Sequence, residues 1–279
     1  MNTRRNVKGW LTAGFVVAGL LAACGGSDSG SGVPLVASVY AVTNLVSDGP
    51  AVSASHTDAN LKNGWGLAFN PKGFAWVAAN GTSKSTLYDG NGVPQSLVVS
   101  VPATSDADPT GIVFNATQDF KVTQGSASAP AAFIFVQAIG DRIYVAYTLR
   151  AATGDDGQGG AGVGVVAVFD TGGTLIKQLA VGGALNAPWG MAMAPANFGA
   201  VSGALLVGNF GDGKINAFDP VTGNLVGTLG KADGTPIVVD GLWGIAFGND
   251  VQSQPSNTLF FASGPADESH GLYGRIDLK

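Results

Sequence analysis

The chain has little cysteine, little histidine and little charge, and each shortage removes a class of explanation. Among 279 residues there is one cysteine, Cys24. No disulfide can form within the chain and no cysteine cluster can hold a metal, so stability has to come from an apolar core. Two histidines, His56 and His270, are too few for a three-histidine zinc site. Charged residues amount to 12% and the net charge is −5, which argues against nucleic acid as a partner, since phosphates require a basic face. Disorder needs high charge and few apolar residues, whereas hydrophobic residues here reach 46%. Almost nothing carries helical periodicity, no Gly-x-Ser-x-Gly nucleophile elbow appears, and no apolar run reaches the ~20 residues of a transmembrane helix.

What is present starts with "MNTRRNVKGWLTAGFVVAGLLAAC". Arg4, Arg5 and Lys8 precede an apolar stretch that ends in Leu21-Ala22-Ala23-Cys24, the order of an export signal. Small residues directly before a Cys resemble the lipobox of bacterial lipoproteins, in which the Cys is lipidated and becomes the new N-terminus. Residues 1–23 are therefore expected to be a signal peptide, Cys24 a lipidation site that joins the protein to a membrane, and residues 24–38 a Gly/Ser-rich flexible tether. Gly25 stands where an Asp would favour inner-membrane retention, so the expected location is the outer membrane of a bacterial cell envelope.

From residue 39 onward the dominant period is two. Short runs such as "FAWVAAN", "RIYVAYT", "VVAVFD", "ALLVGNF" and "TLFFAS" alternate with Gly, Asn, Asp and Pro. Three segments rhyme: "KNGWGLAFNP" (Lys62 to Pro71), "LNAPWGMAMAP" (Leu185 to Pro195) and "DGLWGIAFGN" (Asp240 to Asn249). Each opens a unit that continues strand, turn, strand, turn, strand, and a four-stranded meander of about 40–50 residues is the size of a propeller blade. The last unit lacks an outer strand, which "VYAVTNLVSD" (Val39 to Asp48) can supply from the N-terminus, closing the ring. First strands of blades crowd the axis, so Gly and Ala fit there, and the tryptophans are expected to pack structurally across to neighbouring blades.

These strings, together with "HTDANLKNGWGLAF", "PTGIVFN" (Pro109 to Asn115), "SGALLVGNFGDGKINAFDP" and "SHGLYG", resemble uncharacterised bacterial secreted β-propellers, some of which carry a PEP-CTERM sorting tail. The resemblance implies six blades and no established activity. One departure stands out: Phe135 runs into Val136 with no turn residue between two strand-like runs. That junction suggests the loss of about two blades, a hybrid unit between Asp108 and Gly182, and hence a fold of four to five blades.

In such a ring, loops entering a blade and loops between its second and third strands share one face. This gathers His56, Asp58, Asn63, Asn186 and Asp240 with Asn80, Asn209, Asp212, Asp267, Glu268 and His270 as a polar mouth for a protein or carbohydrate ligand. Asn and Asp beside Gly are also what tight turns require. No cofactor is called for; calcium is the ion that carboxylate and carbonyl oxygens would suit. "GDDGQGGAGVG" (Gly154 to Gly164) reads as a flexible connection, and His270 as a satisfied loop residue. Two functions follow. The first is a lipid-anchored, non-catalytic binding or scaffold propeller. The second is a lactonase-like hydrolase in which Asn209, Asp240 and Asp58 hold a divalent metal that activates water.

Overall fold

The computed structural model describes residues 33–101, 107–112, 133–150 and 157–279. The expected signal peptide, Cys24 and residues 25–32 of the expected tether lie outside them. Eighteen strands are described: β1 (Leu35–Ser47), β2 (His56–Thr57), β3 (Gly64–Phe69), β4 (Ala75–Ala79), β5 (Lys84–Tyr88), β6 (Val99–Ser100), β7 (Phe133–Ile139), β8 (Arg142–Arg150), β9 (Gly157–Gln158), β10 (Val165–Phe169), β11 (Leu175–Val181), β12 (Pro188–Met193), β13 (Leu205–Asn209), β14 (Ile215–Phe218), β15 (Leu225–Gly230), β16 (Leu242–Phe247), β17 (Leu259–Ser263) and β18 (Leu272–Leu278). No α-helix occurs among the described residues. The protein is an all-β propeller.

Four antiparallel meanders form its blades: β3-β4-β5-β6, β7-β8-β10-β11, β12-β13-β14-β15 and β16-β17-β18. The last is completed by β1, which runs antiparallel to β18 from Tyr40 opposite Leu278 to Ser47 opposite Leu272. This is the N-terminal closure that the missing outer strand required. The strand starts at Leu35, earlier than expected, because Leu35 and Val39 also pair in parallel with Thr228 and Gly230 of β15. Residues 35–38 therefore belong to the sheet, and β1 stitches the third and fourth blades into one hydrogen-bonded surface.

Between blades lie the cores. Leu179, Met191, Leu205 and Phe218 fill the space between the second and third. Leu206, Ile237, Ile245 and Phe261 fill that between the third and fourth, and Leu67, Val77, Phe260 and Tyr273 that between the fourth and first. Side chains of this size stabilise by roughly 1.5–3 kcal/mol each when fully buried.

The Trp-Gly rhyme now has a geometric cause. A Cβ on Gly190 would lie 2.5 Å from the Trp243 carbonyl oxygen, one on Gly244 would lie 2.6 Å from that of Trp65, and one on Gly66 would lie 2.8 Å from the Ile112 nitrogen. Each glycine thus abuts the backbone of the next inner strand, an approach that no larger residue permits. The chain of contacts fixes the order around the axis: β12, β16, β3, then Thr110–Ile112. Among the described residues that short segment alone represents a fifth unit. β7 borders β12 on its other side. The junction without a turn is accommodated simply, since β7 runs unbroken through Phe135 and Val136 and pairs with β8 from Phe133 opposite Thr148 to Ile139 opposite Arg142. Among the described residues four complete blades are present, within the expected four to five.

Candidate functional site: the polar mouth and the axis beneath it

The mouth is built by a repeated turn. The residue two before each tryptophan is left-handed, with φ of 49° at Asn63, 47° at Ala187 and 61° at Gly241. Its carbonyl accepts the amide that opens the second-to-third loop of the same blade: Asn80, Phe210 and Gly264, at 3.0, 2.9 and 2.9 Å. Entering loops and second-to-third loops are thereby held side by side, as the sequence reading required.

Three of the expected residues meet. Asn63 Nδ2 donates to Glu268 Oε2 at 3.0 Å and to Asn80 Oδ1 at 3.3 Å. Asn63 itself is buried, 4% exposed. Glu268 is presented by three consecutive left-handed residues, Ala266, Asp267 and Glu268, a turn pinned by Asp240, whose Oδ2 accepts the Ala266 amide at 2.8 Å.

The other candidates serve their own loops. Asp58 Oδ1 accepts the Asn60 amide and side chain, and Asp58 Oδ2 accepts the Tyr88 hydroxyl at 2.9 Å. Burial pushes the Tyr88 hydroxyl well above the usual phenol range, so it remains a donor. Asn209, fully buried, donates to the Ala184 carbonyl at 2.8 Å and to Asp212 Oδ1 at 3.2 Å, while Asp212 also pairs with Lys214. Asn186 Oδ1 accepts the Gly160 amide at 2.6 Å. That bond, with Gly162 donating to the Leu185 carbonyl and Ala187 to that of Val163, ties down the described part of the Gly-rich connection, 157–164, which was expected to be flexible. Residues 154–156 lie outside the described residues. His56 sits half-buried in β2, and Asp267 is exposed.

His270 has a partner that the sequence reading missed. Its Nδ1 lies 3.1 Å from Asp48 Oδ2. Only the register of β1 on β18, which ends with Ser47 opposite Leu272, could have located Asp48 there. Also missed was the inward convergence of the tryptophans. Trp65 stacks on Trp243 at 4.1 Å between centroids, and Trp189 meets both edge-on at 5.5 and 4.9 Å. Phe210 covers Trp243 at 4.0 Å. The three segments surround one centre, and the packing role expected for the tryptophans is realised by their meeting at the axis.

Asp58, Asp240 and Asn209 are each held by a different blade's own loop, as above. Among the described residues no three His, Cys, Asp or Glu side chains come together as metal ligands.

No family model matches the chain. It is similar to uncharacterised proteins of Acanthamoeba polyphaga mimivirus. One is 27% identical over 318 aligned positions, covering 80% of this chain and 76% of that protein. A second is 36% identical over 115 positions, 41% of this chain and 29% of that one. The first alignment is longer than the chain's 279 residues, so the viral protein carries residues inside the matched span that this chain lacks. These relatives overturn the assignment to a bacterial secreted family. Several residues in the strings that suggested it have structural roles in this ring, the glycines at the axis and the left-handed positions of the loops. Among solved structures, virginiamycin B lyase from Staphylococcus aureus aligns at TM-score 0.35 and 11% identity, covering 86% of this chain and 73% of that one. Regucalcin from Agrobacterium tumefaciens aligns at 0.35 and 12%, covering 78% and 91%.

Proposed function

We propose that the protein is a non-catalytic binding propeller whose mouth, at the junction of Asn63, Asn80 and Glu268, takes a polyhydroxylated ligand of the carbohydrate class. The observation that carries this reading is the convergence of three side chains from three loops of two blades within hydrogen-bond distance. A carboxylate accepts from a sugar hydroxyl and a carboxamide both accepts and donates, so the trio matches the alternating polarity of neighbouring hydroxyls. Asn63 is the buried support. Asn80 and Glu268 are half-buried at this junction. The hydrogen bonds of Asp58, Asp240 and Asn209 account for those three residues without a metal. Lipid attachment at Cys24 and residence at a membrane surface belong to the same proposal.

A glycan array probed with the wild-type protein and with Glu268→Ala tests it. Expected is retention of one group of glycans, lost in the variant while thermal stability stays within a few degrees. No retained glycan, or turnover of a lactone or ester panel that Glu268→Ala abolishes, would overturn the reading. For the anchor, a Cys24→Ser chain should lose incorporation of labelled fatty acid.

A further inference from the structure

Beneath the tryptophans lies a cavity of about 810 Å³ on the propeller axis. Its wall repeats three times, with Leu67 and Phe69 from β3, Met191 and Met193 from β12, and Ile245 and Phe247 from β16. The intervening Ala68, Ala192 and Ala246 line it as well, so each inner strand borders the cavity along its edge. No residue of the polar mouth lines the cavity, and Trp189 belongs both to its wall and to the aromatic cluster. The cavity runs from there toward the C-terminal ends of the inner strands, where Phe69, Met193 and Phe247 are half-buried.

No Asp, Glu, Lys, Arg or His is among its described lining residues; polar side chains come only from Thr110 and Gln137. Further polarity is supplied by the inner edges of β3, β7, β12 and β16, each of which is paired on its outer side only. The volume falls in the ~300–1,000 Å³ range of small-molecule sites. The absence of charge from the described wall selects against ions, because a charge there would be desolvated without a partner. Two methionines add walls that adapt to shape.

We infer that this axial cavity binds one neutral, largely apolar small molecule, entering from the face opposite the polar mouth. The inference does not rest on the carbohydrate reading, since the two sites share no described residue.

Its test is titration of the purified protein with the neutral dye N-phenyl-1-naphthylamine, read as energy transfer from tryptophan. Expected is saturation at one dye per chain with a micromolar Kd. Met193→Gln, which keeps the volume and adds an amide, should raise that Kd at least tenfold. Ala246→Leu, which adds volume at the wall, should do the same, and Glu268→Ala should leave it unchanged. Absence of saturable binding, or a Kd that neither cavity variant moves, would overturn the site. If one variant fails to fold, the other decides.

Discussion

The third blade and the second blade are built from the same four-stranded plan yet meet their neighbours differently. In the third, β12 carries Trp-Gly, breaks register between Pro188 and Met191, and presses Gly190 onto the backbone of β16. In the second, β7 has neither tryptophan nor glycine, pairs in unbroken register, and reaches the axial cluster only through Phe135, 5.6 Å from Trp189. Val136 of β7 stays 53% exposed, and Leu175 of β11 50%. Close axial contact is therefore a property of particular residues.

The largest expected effect breaks that contrast at its centre. Gly190→Val forces atoms into the Trp243 carbonyl and should cost more than ~4 kcal/mol, the range of severe overpacking. Val136→Thr, at an exposed position of β7, should change stability by less than ~0.5 kcal/mol. Urea unfolding of both measures the difference, and equal effects would erase the distinction between the blades. Trp243→Ala, which empties the middle of the cluster, should cost ~3–5 kcal/mol and should also alter near-ultraviolet circular dichroism. A smaller step concerns the closing strand: Tyr40→Phe removes the buried hydroxyl that donates to the Phe198 carbonyl at 2.9 Å, for a loss of ~1 kcal/mol.

The smallest effect asks what the two blades share. Asp219 in the third is held below the usual carboxylate range by the amides of Thr222 and Val221, and Asp170 in the second by those of Thr174 and Gly172. A depressed folded pKa means that stability is fully present above the unfolded value of ~3.9 and fades as pH falls through the lower folded value. Asp219→Asn and Asp170→Asn should therefore flatten the acid limb of a stability profile to a similar, small degree. Unequal effects would show that the hairpins differ as the inner strands do.

Much of the architecture was legible in the residues. Period-two runs, the Trp-Gly-x-Ala rhyme and the missing outer strand lead to blades and their closure, because each reflects a local or repeated constraint. The site was less legible. Turn residues such as Asp58, Asp240 and Asn186 looked like a rim of free polar groups, but short side chains beside Gly fold back onto nearby backbone. Which of them meet depends on contacts between blades, and the pairing of His270 with Asp48 spans most of the chain. The cavity left no polar signature at all. The same apolar letters describe a filled core and a hollow one.

β1 lies between β15 and β18, strands translated long after it. Apart from its last residues, which pair in parallel with β2, β1 must wait for its partners through the making of three blades. Until β18 arrives, the nascent chain exposes a long template for mispairing, so a holding chaperone or slow initiation of folding would matter more to this protein than to one whose strands pair in the order they are made.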